Sequence, residues 1–134
     1  MGKSVFSVLV VGFGRMGKRH AAAYQVLEGF DLVGKCAREY QRSDAEADLP
    51  GAAFYLDAQT AIREAKADVV CIATLIVSHN ALARAAIDSG ADVFLEKPVA
   101  QTLAESTALF SYAEEKGKKI VVGYVRKHDR LWRV

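Results

Sequence analysis

The feature that most constrains this chain is a glycine cluster that follows an apolar run near the N-terminus. Residues 7–20 read SVLVVGFGRMGKRH, so Gly12, Gly14 and Gly17 have the spacing G-x-G-x-x-G between a strand-like run and a helix-like segment. In this order the first glycine permits a tight turn, the second leaves room for phosphates near the backbone, and the third lets the helix pack on the strand. Free N–H groups at the helix start then face the anion. The stretch therefore predicts a dinucleotide-binding turn of the Rossmann type.

Downstream, short strand-like runs alternate with longer helical ones, which is typical of a parallel sheet with helices on both faces. The continuous apolar run after Asp68 predicts a central strand covered on both sides. We therefore predict an α/β fold with a doubly wound, mostly parallel sheet in the order 3-2-1-4-5-6. The six strands are predicted at residues 5–11, 30–36, 53–56, 68–74, 92–95 and 119–123.

Capping residues predict where the helices begin. A helix is expected over residues 15–27, and residues 37–50 are predicted as a loop with one short helix. Asp57 is predicted to cap a helix that reaches residue 66, and Ser78 a helix that ends at Gly90. Thr102 and Glu105 fit the capping box S/T-x-x-E, which predicts a helix to about residue 116.

The composition argues against several classes of protein and several kinds of site. With 134 residues, 51% of them hydrophobic, the chain has the size of one domain, and its net charge of +2 is too small to indicate a nucleic-acid partner. No apolar run is long enough to span a bilayer and the N-terminus lacks a signal-peptide core, so we expect a cytoplasmic protein without a membrane partner. Cys36 and Cys71 lie in apolar runs, which favours buried thiols over a disulfide framework or a metal site.

The residues after the second strand bear on the choice of cofactor. In NAD-binding versions of this fold an acidic residue about 20 positions past the glycines binds the ribose 2′-hydroxyl, whereas an arginine accommodates a 2′-phosphate. That count falls on Ala37, followed by Arg38, while Asp31 and Glu39 are misplaced. We therefore predict NADP as the cofactor, with NAD as the alternative. The competing interpretation is that Arg38 is a solvated loop cation.

Ligands in open α/β sheets bind beyond the carboxyl ends of the strands, so residues just after each strand are candidate contacts. Arg15 is expected either to reach a phosphate or to be an ordinary exposed arginine. His79 is expected to touch the cofactor or to cap a helix, and His20 to be structural or exposed. The remaining candidates are Phe13, Met16, Ala37, Arg38, Thr74, Leu75, Glu96 and Lys97.

Lys97 is the candidate catalytic group. It precedes Pro98, whose ring restricts the preceding residue to extended geometry and so fixes where the lysine side chain leaves the strand. A lysine there could hydrogen-bond a substrate hydroxyl and ease its proton transfer while hydride leaves the adjacent carbon. The alternative is a surface lysine at the end of a strand.

Four stretches together resemble the N-terminal half of the Gfo/Idh/MocA oxidoreductases, the glucose-fructose oxidoreductase and inositol dehydrogenase family. They are VGFGRMGKRHAAAY, DVVCIAT, GADVFLEKPVA and VGYVRKHDRLW, and they cover essentially the whole chain. The resemblance implies that Lys97 lies beside nicotinamide and substrate, that Glu96 orders that corner, and that Thr74 lines the cofactor cleft. It also places Arg126 in a family pattern, G-x-x-R-R-F-x-P, that leads towards a second domain.

The sequence departs from the family pattern at three positions. Leu75 and Arg130 stand where the family usually has proline, and Lys127 replaces an arginine. The family's C-terminal domain, which supplies substrate contacts and most of the oligomer interface, is not represented in these residues. We therefore expect a dinucleotide-binding domain over residues 1–123 and the start of a linker over 124–134.

The expected function is that of the cofactor domain of a sugar or polyol dehydrogenase, inactive alone. Its substrate would be a small molecule bound with the second domain, and the tail with Tyr124, Leu131 and Trp132 suggests a partner chain such as a second copy. One alternative is a stand-alone NAD(P)-sensing module, which would have no use for Lys97. Another is a Rossmann domain for S-adenosylmethionine.

Overall fold

A computed structural model describes residues 2–124. Strands and helices alternate along these residues, as predicted. The strands are β1 (Phe6–Val11), β2 (Phe30–Cys36), β3 (Ala53–Tyr55), β4 (Val69–Ile72), β5 (Asp92–Leu95) and β6 (Ile120–Val122). The helices are α1 (Arg15–Val26), α2 (Arg42–Asp48), α3 (Ala58–Ala65), α4 (Ile76–Asp88) and α5 (Leu103–Glu115), with a 3-10 turn at Glu39–Gln41.

The six strands form one parallel sheet in the order β3-β2-β1-β4-β5-β6, which confirms the predicted topology. The order reverses between β1 and β4, which are neighbours in the sheet although β2 and β3 separate them in the chain. In doubly wound sheets the crevice at this reversal is where ligands bind. The fold therefore places the glycine cluster, which follows β1, at the switch point.

Successive side chains of β1 point to opposite faces of the sheet and pack into two separate core layers. Leu9 and Val11 pack on one face with residues of α3, α4 and α5, whereas Val8 and Val10 pack on the other face with residues of α1 and α2. A strand that is buried on both faces must be apolar at successive positions, and β1 is. This two-sided burial fixes the register of β1 and the position of the loop that follows it.

Two of the three predicted caps are confirmed and one is wrong. The side chain of Asp57 accepts a hydrogen bond from the Thr60 N–H at 2.7 Å, and Thr102 accepts one from the Glu105 N–H at 3.1 Å. Ser78 does not cap α4, because the helix already begins at Ile76 with Leu75 at the capping position. The Ser78 hydroxyl lies inside the first turn and donates to the Leu75 carbonyl at 2.8 Å.

The amino ends of β1 and β4 are joined by Asp68. Its Oδ2 accepts hydrogen bonds from Lys3 Nζ at 2.5 Å and from the N–H and the hydroxyl of Ser7, both at 2.8 Å. These donors hold the pKa of Asp68 at about 2. The carboxylate thus stabilises the amino ends of these two central strands, at the end of the sheet opposite to the glycine cluster.

Among the described residues, no helix is both long and apolar enough to cross a membrane.

Candidate functional site

The glycine cluster is held between the carboxyl ends of three strands. The Gly12 N–H donates to the Cys36 carbonyl at the end of β2, at 2.9 Å, and the Ala73 N–H after β4 donates to the Val11 carbonyl at 2.8 Å. Gly12 has φ +97°, a backbone conformation that favours glycine. The turn after β1 is therefore held by hydrogen bonds to the neighbouring strands on both sides.

The three glycines differ in what a side chain would meet. A Cβ at Gly12 would lie 2.3 Å from the Ala73 carbonyl oxygen, and one at Gly17 would lie 1.9 Å from the Gly12 carbonyl oxygen. A Cβ at Gly14 would meet no heavy atom within 4 Å, although Gly14 is the N-cap of α1. Gly12 and Gly17 are thus required by the fold, whereas the space in front of Gly14 is open. An anion can approach the free N–H groups of the first turn of α1 there.

On one side of Gly14 lies a cavity of about 430 Å³, which we call the β2-side cleft. Its floor is the glycine turn, and its wall is the segment after β2, where Ala37 is buried and Arg38 is exposed. The Arg38 side chain pairs with no acidic residue among residues 2–124. The lining of the β2-side cleft also includes Tyr40, Gln41, Leu56, Thr74 and Leu75.

Gln41 links the wall of the β2-side cleft to its floor, a role that sequence reasoning missed. Its Nε2 donates to the Phe13 carbonyl at 2.8 Å, and its Oε1 accepts from the Arg38 N–H at 3.1 Å. One amide side chain therefore fixes the backbone of the glycine turn and of the Arg38 segment together. A glutamine in a polar loop gives no sequence signal of such a bridge.

On the other side of Gly14 lies a second cavity, of about 510 Å³, which we call the β5-side cleft. Gly14, Ala73 and Thr74 line both clefts, so the two meet at the glycine turn. The remaining lining residues of the second cleft are Arg15, Met16, Arg19, Glu96 and Lys97. The structure therefore brings Lys97 and the glycine turn to one cavity.

Behind Lys97, Glu96 is held in a buried network. Its Oε1 lies 2.6 Å from His20 Nε2, its Oε2 accepts from the Lys97 N–H at 3.2 Å, and only 6% of the residue is exposed. A Cβ at Gly123 would lie 2.8 Å from Glu96 Oε1, so the glycine after β6 leaves room for this carboxylate. The His20 ring also packs edge-on against Phe94, with 4.8 Å between ring centroids.

His20 is thus structural, one of the two outcomes expected for it, but its partner could not have been anticipated. The pair joins residues 76 positions apart and ties α1, whose first turn faces the clefts, to the segment that carries Lys97. The N–H of Lys97 is fixed on the same carboxylate. Glu96 therefore orders the backbone at Lys97, while the Lys97 side chain stays exposed.

His79 connects the segments after β4 and β5. Its Nδ1 lies 2.9 Å from the Pro98 carbonyl oxygen and its Nε2 lies 3.1 Å from the Thr74 carbonyl oxygen. With 1% of the residue exposed, the imidazole presents no surface to either cleft. His79 contacts the Thr74 and Pro98 carbonyls from behind the clefts and does not cap α4, whereas its contact with a cofactor stays a prediction. The peptide bond between Lys97 and Pro98 is cis.

The other predicted contact residues differ in the exposed fraction of their side chains. The Phe13 ring is buried, with 2% of the residue exposed, so this residue offers its backbone to the β2-side cleft. Leu75 is 71% exposed at the mouth of the same cleft, and the Thr74 hydroxyl lies 2.6 Å from the Ser78 hydroxyl. Arg126 and the predicted linker from residue 125 onward lie outside the described residues.

Neither thiol is set up for nucleophilic chemistry. Cys36 and Cys71 are buried and unbridged, as expected. Burial raises the pKa of Cys36 to about 11 and raises the pKa of Cys71 as well. The other polar groups that the described residues contribute to the two clefts are cations, hydroxyls, backbone N–H groups, the Gln41 amide and the Glu96 carboxylate.

The family model described as "Oxidoreductase family, NAD-binding Rossmann fold" (GFO_IDH_MocA) matches residues 6–124. An inositol 2-dehydrogenase of Paracoccus denitrificans is 31% identical over an alignment of 126 positions, which covers 90% of this chain and 37% of that protein. A D-apiose dehydrogenase of Paraburkholderia graminis is 29% identical over 118 residues, 87% of this chain and 32% of that protein. The chain therefore spans about a third of the length of the curated relatives that it matches.

A solved structure of scyllo-inositol dehydrogenase from Lactobacillus casei, with bound NAD(H) and scyllo-inositol, superposes with a TM-score of 0.87. The sequence identity is 22%, and the match covers 94% of this chain and 38% of that one. At this identity the likeness shows a shared fold.

Proposed function

Because the chain belongs to the Gfo/Idh/MocA oxidoreductase family with its NAD-binding Rossmann fold, we propose that residues 1–123 form the dinucleotide domain of a sugar or polyol dehydrogenase. The observation that carries the proposal is that Gly14 and Lys97 line one cavity. An anion site and a candidate proton-transfer group are thereby set side by side at the switch point of the sheet. A dehydrogenase needs both on the same cleft, since cofactor and substrate must meet there.

The residues present fit a nicotinamide dinucleotide. The open space in front of Gly14 is where its pyrophosphate would lie, against the N-terminus of α1. The β2-side cleft is then left for the adenosine half and the β5-side cleft for the nicotinamide half. When bound, the dinucleotide supplies a hydride acceptor or donor, which the side chains of this protein cannot provide.

In the reaction that we propose, this chain positions the substrate hydroxyl and handles its proton. Among the described residues, Lys97 Nζ forms no ion pair, and it lines the cleft where it can hydrogen-bond the hydroxyl that is oxidised. Glu96 fixes the Lys97 backbone through the N–H contact, and His20 fixes Glu96. These groups hold the lysine at the cleft while leaving its ammonium group exposed.

We propose NADP as the preferred cofactor. Arg38 lies exposed on the wall of the β2-side cleft, and its guanidinium can pair with a phosphate through two parallel hydrogen bonds. Among residues 2–124, no acidic side chain lines that cleft to accept from a ribose 2′-hydroxyl. The two buried, reduced thiols suit a reducing compartment, and we propose a cytoplasmic location.

We further propose that these 134 residues bind dinucleotide but turn over little substrate by themselves. Hydride transfer requires the substrate to be held in a near-attack position. The relatives are about three times longer than the matched region. A small-molecule substrate bound between this domain and a second one, in a homo-oligomer, is part of the same proposal.

Calorimetric titration of the chain with NADP, NAD and S-adenosylmethionine tests the proposal. We expect NADP to bind most tightly, NAD about tenfold more weakly through the loss of Arg38 pairing, and S-adenosylmethionine not measurably. Binding of S-adenosylmethionine alone would contradict the dehydrogenase proposal. Polyol oxidation by the gene's complete product distinguishes an enzyme from a sensing module. In an enzyme Lys97→Ala should abolish turnover, whereas in a sensor it should leave dinucleotide binding and regulation unchanged.

A further inference from the structure

The β5-side cleft carries more positive charge than the dinucleotide site requires. Arg15, Arg19 and Lys97 all line its cavity of about 510 Å³. Arg15 and Arg19 are four positions apart on α1 and so share one helix face, while Lys97 approaches from the end of β5. Within residues 2–124, none of the three side chains forms an ion pair.

The one carboxylate that the described residues contribute to this lining is already engaged. Glu96 Oε1 lies 2.6 Å from His20 Nε2, and its Oε2 accepts the Lys97 N–H. Only 6% of Glu96 is exposed, whereas Arg15, Arg19 and Lys97 are exposed residues of the same lining, so three cations stand against one buried carboxylate. Arg19 also borders a second cavity that Asp48 lines, without forming an ion pair with it. The cleft therefore has a local excess of positive charge.

The proposed dinucleotide accounts for part of that excess. Its pyrophosphate would lie against Gly14 and the start of α1, next to Arg15, which is the first residue of the helix. Lys97 is assigned to the substrate hydroxyl. Arg19 lies one helical turn beyond Arg15, exposed on the same cavity, and has no function in either task.

We propose that the β5-side cleft takes an anionic substrate, a sugar or polyol that carries a carboxylate or a phosphate, and that Arg19 binds the anionic group. The inference rests on the dehydrogenase function proposed above and specifies the substrate class of that site. A guanidinium pairs with either oxyanion in the same bidentate geometry, so the shared chemistry is an oxyanion on the substrate. Arg19 is then a residue that determines specificity, while Lys97 still hydrogen-bonds the substrate hydroxyl that is oxidised.

The test compares three sugars that differ only at carbon 6: glucose, glucuronate and glucose 6-phosphate. Because the proposed substrate site lies between this domain and a second one, each sugar is titrated calorimetrically into the gene's complete product, saturated with its reduced dinucleotide so that no turnover occurs. We expect at least one of the two anionic sugars to bind about fivefold or more tightly than glucose, with a difference that shrinks in about 0.5 M NaCl. Which anion binds better distinguishes a carboxylate substrate from a phosphate ester.

Two variants of the same helix sharpen the test. Arg19→Gln should remove the preference for the anionic sugar and leave dinucleotide affinity within about twofold, since the side chain is exposed and unpaired. Lys18→Gln removes a charge of the same helix that pairs with Asp44 outside this cleft, and the preference should persist.

Several outcomes would overturn the inference. Equal affinity for all three sugars, or no response to either anionic sugar, contradicts it even when the dinucleotide binds. A large loss of dinucleotide affinity in Arg19→Gln also contradicts it, because Arg19 would then be a cofactor contact. Failure of the unaltered chain to bind dinucleotide is a different result, which refutes the proposed function itself.

Discussion

The two ends of the parallel strands use polar side chains in opposite ways. At the amino ends, Asp68 accepts three hydrogen bonds from Lys3 and Ser7, so each group serves another within the protein. At the carboxyl ends, the cations that line the two clefts have no acidic partner among residues 2–124. These cations are Arg15, Arg19, Arg38 and Lys97.

This difference separates the fold from the site. A polar group whose partners are internal contributes to stability, and its removal leaves those partners unpaired. An exposed cation without a partner contributes little to stability, so its variants should change ligand binding and leave the fold intact. Partnered groups and unpartnered groups should therefore respond to different measurements.

The glycine cluster provides the largest expected effects. Gly17→Ala would place a Cβ 1.9 Å from the Gly12 carbonyl oxygen, and we expect it to lower the free energy of unfolding by about 3 kcal/mol or more. Gly14→Ala meets no protein atom, so it should change stability by less than about 1 kcal/mol. It should nevertheless weaken dinucleotide binding about 100-fold by filling the space for the pyrophosphate. Denaturant unfolding and calorimetry measure both, and a Gly14→Ala variant that binds normally would contradict the site.

The pair of His20 and Glu96 tests whether an internal partner or the position in the sheet determines if a substitution affects stability or ligand binding. It lies at the carboxyl ends but is buried and internally paired, so it should behave as part of the fold. His20→Ala should lower the free energy of unfolding by about 2 kcal/mol, since a buried carboxylate loses its donor. A double-mutant cycle with Glu96→Gln measures the coupling, and strictly additive losses would show that the pair contributes nothing.

Arg38 represents the unpartnered class in the β2-side cleft. Arg38→Ala should weaken NADP binding about tenfold and leave NAD binding unchanged, because only NADP has a 2′-phosphate for the guanidinium. Thermal unfolding should be unaffected. Arg63→Ala, on the exposed face of α3, is the matched control. Equal weakening of both dinucleotides would show that Arg38 does not read the 2′ position.

Asp68 represents the amino ends and should give the smallest effect. Its pKa of about 2 lies below the value of about 3.9 expected in the unfolded chain, so its contribution to stability is present above that unfolded value. The contribution is lost as the pH falls from about 4 towards 2. Asp68→Asn should cost about 1 kcal/mol at neutral pH, with dinucleotide affinity unchanged. Its stability should converge with that of the unaltered chain in acid, and a constant gap down to pH 2 would exclude this carboxylate as the cause.

The sheet could be predicted because its signals are local. Apolar runs, glycine stops and the caps Asp57 and Thr102 are read within a few residues, and the rule for doubly wound sheets then supplies the strand order. The residues after each strand were predicted as the lining of the clefts for the same reason. Ser78 was misassigned because the capping position of α4 lies three residues earlier, at Leu75, which gives no capping signal.

The contacts that organise the site could not be predicted, because they join distant segments. His20 meets Glu96 only after β5 has been placed beside β4, and Gly123 is needed for the space around that carboxylate. Lys35 is a further example, since its Nζ is buried and donates to the Leu49 carbonyl at 2.6 Å. Burial lowers the pKa of this lysine. A lysine near the end of a strand does not reveal such an environment.

The most direct test of the account is a map of amide chemical shifts on addition of NADP to the labelled chain. We expect perturbed amides to cluster at the carboxyl ends of the strands, at residues 12–17, 36–41, 73–75 and 96–97. The amides of Ser7 and Asp68, at the opposite ends of the same strands, should stay unmoved. Perturbations centred on Ser7 and Asp68, or none anywhere in the chain, would contradict the claim that the glycine turn and Lys97 form one dinucleotide cleft.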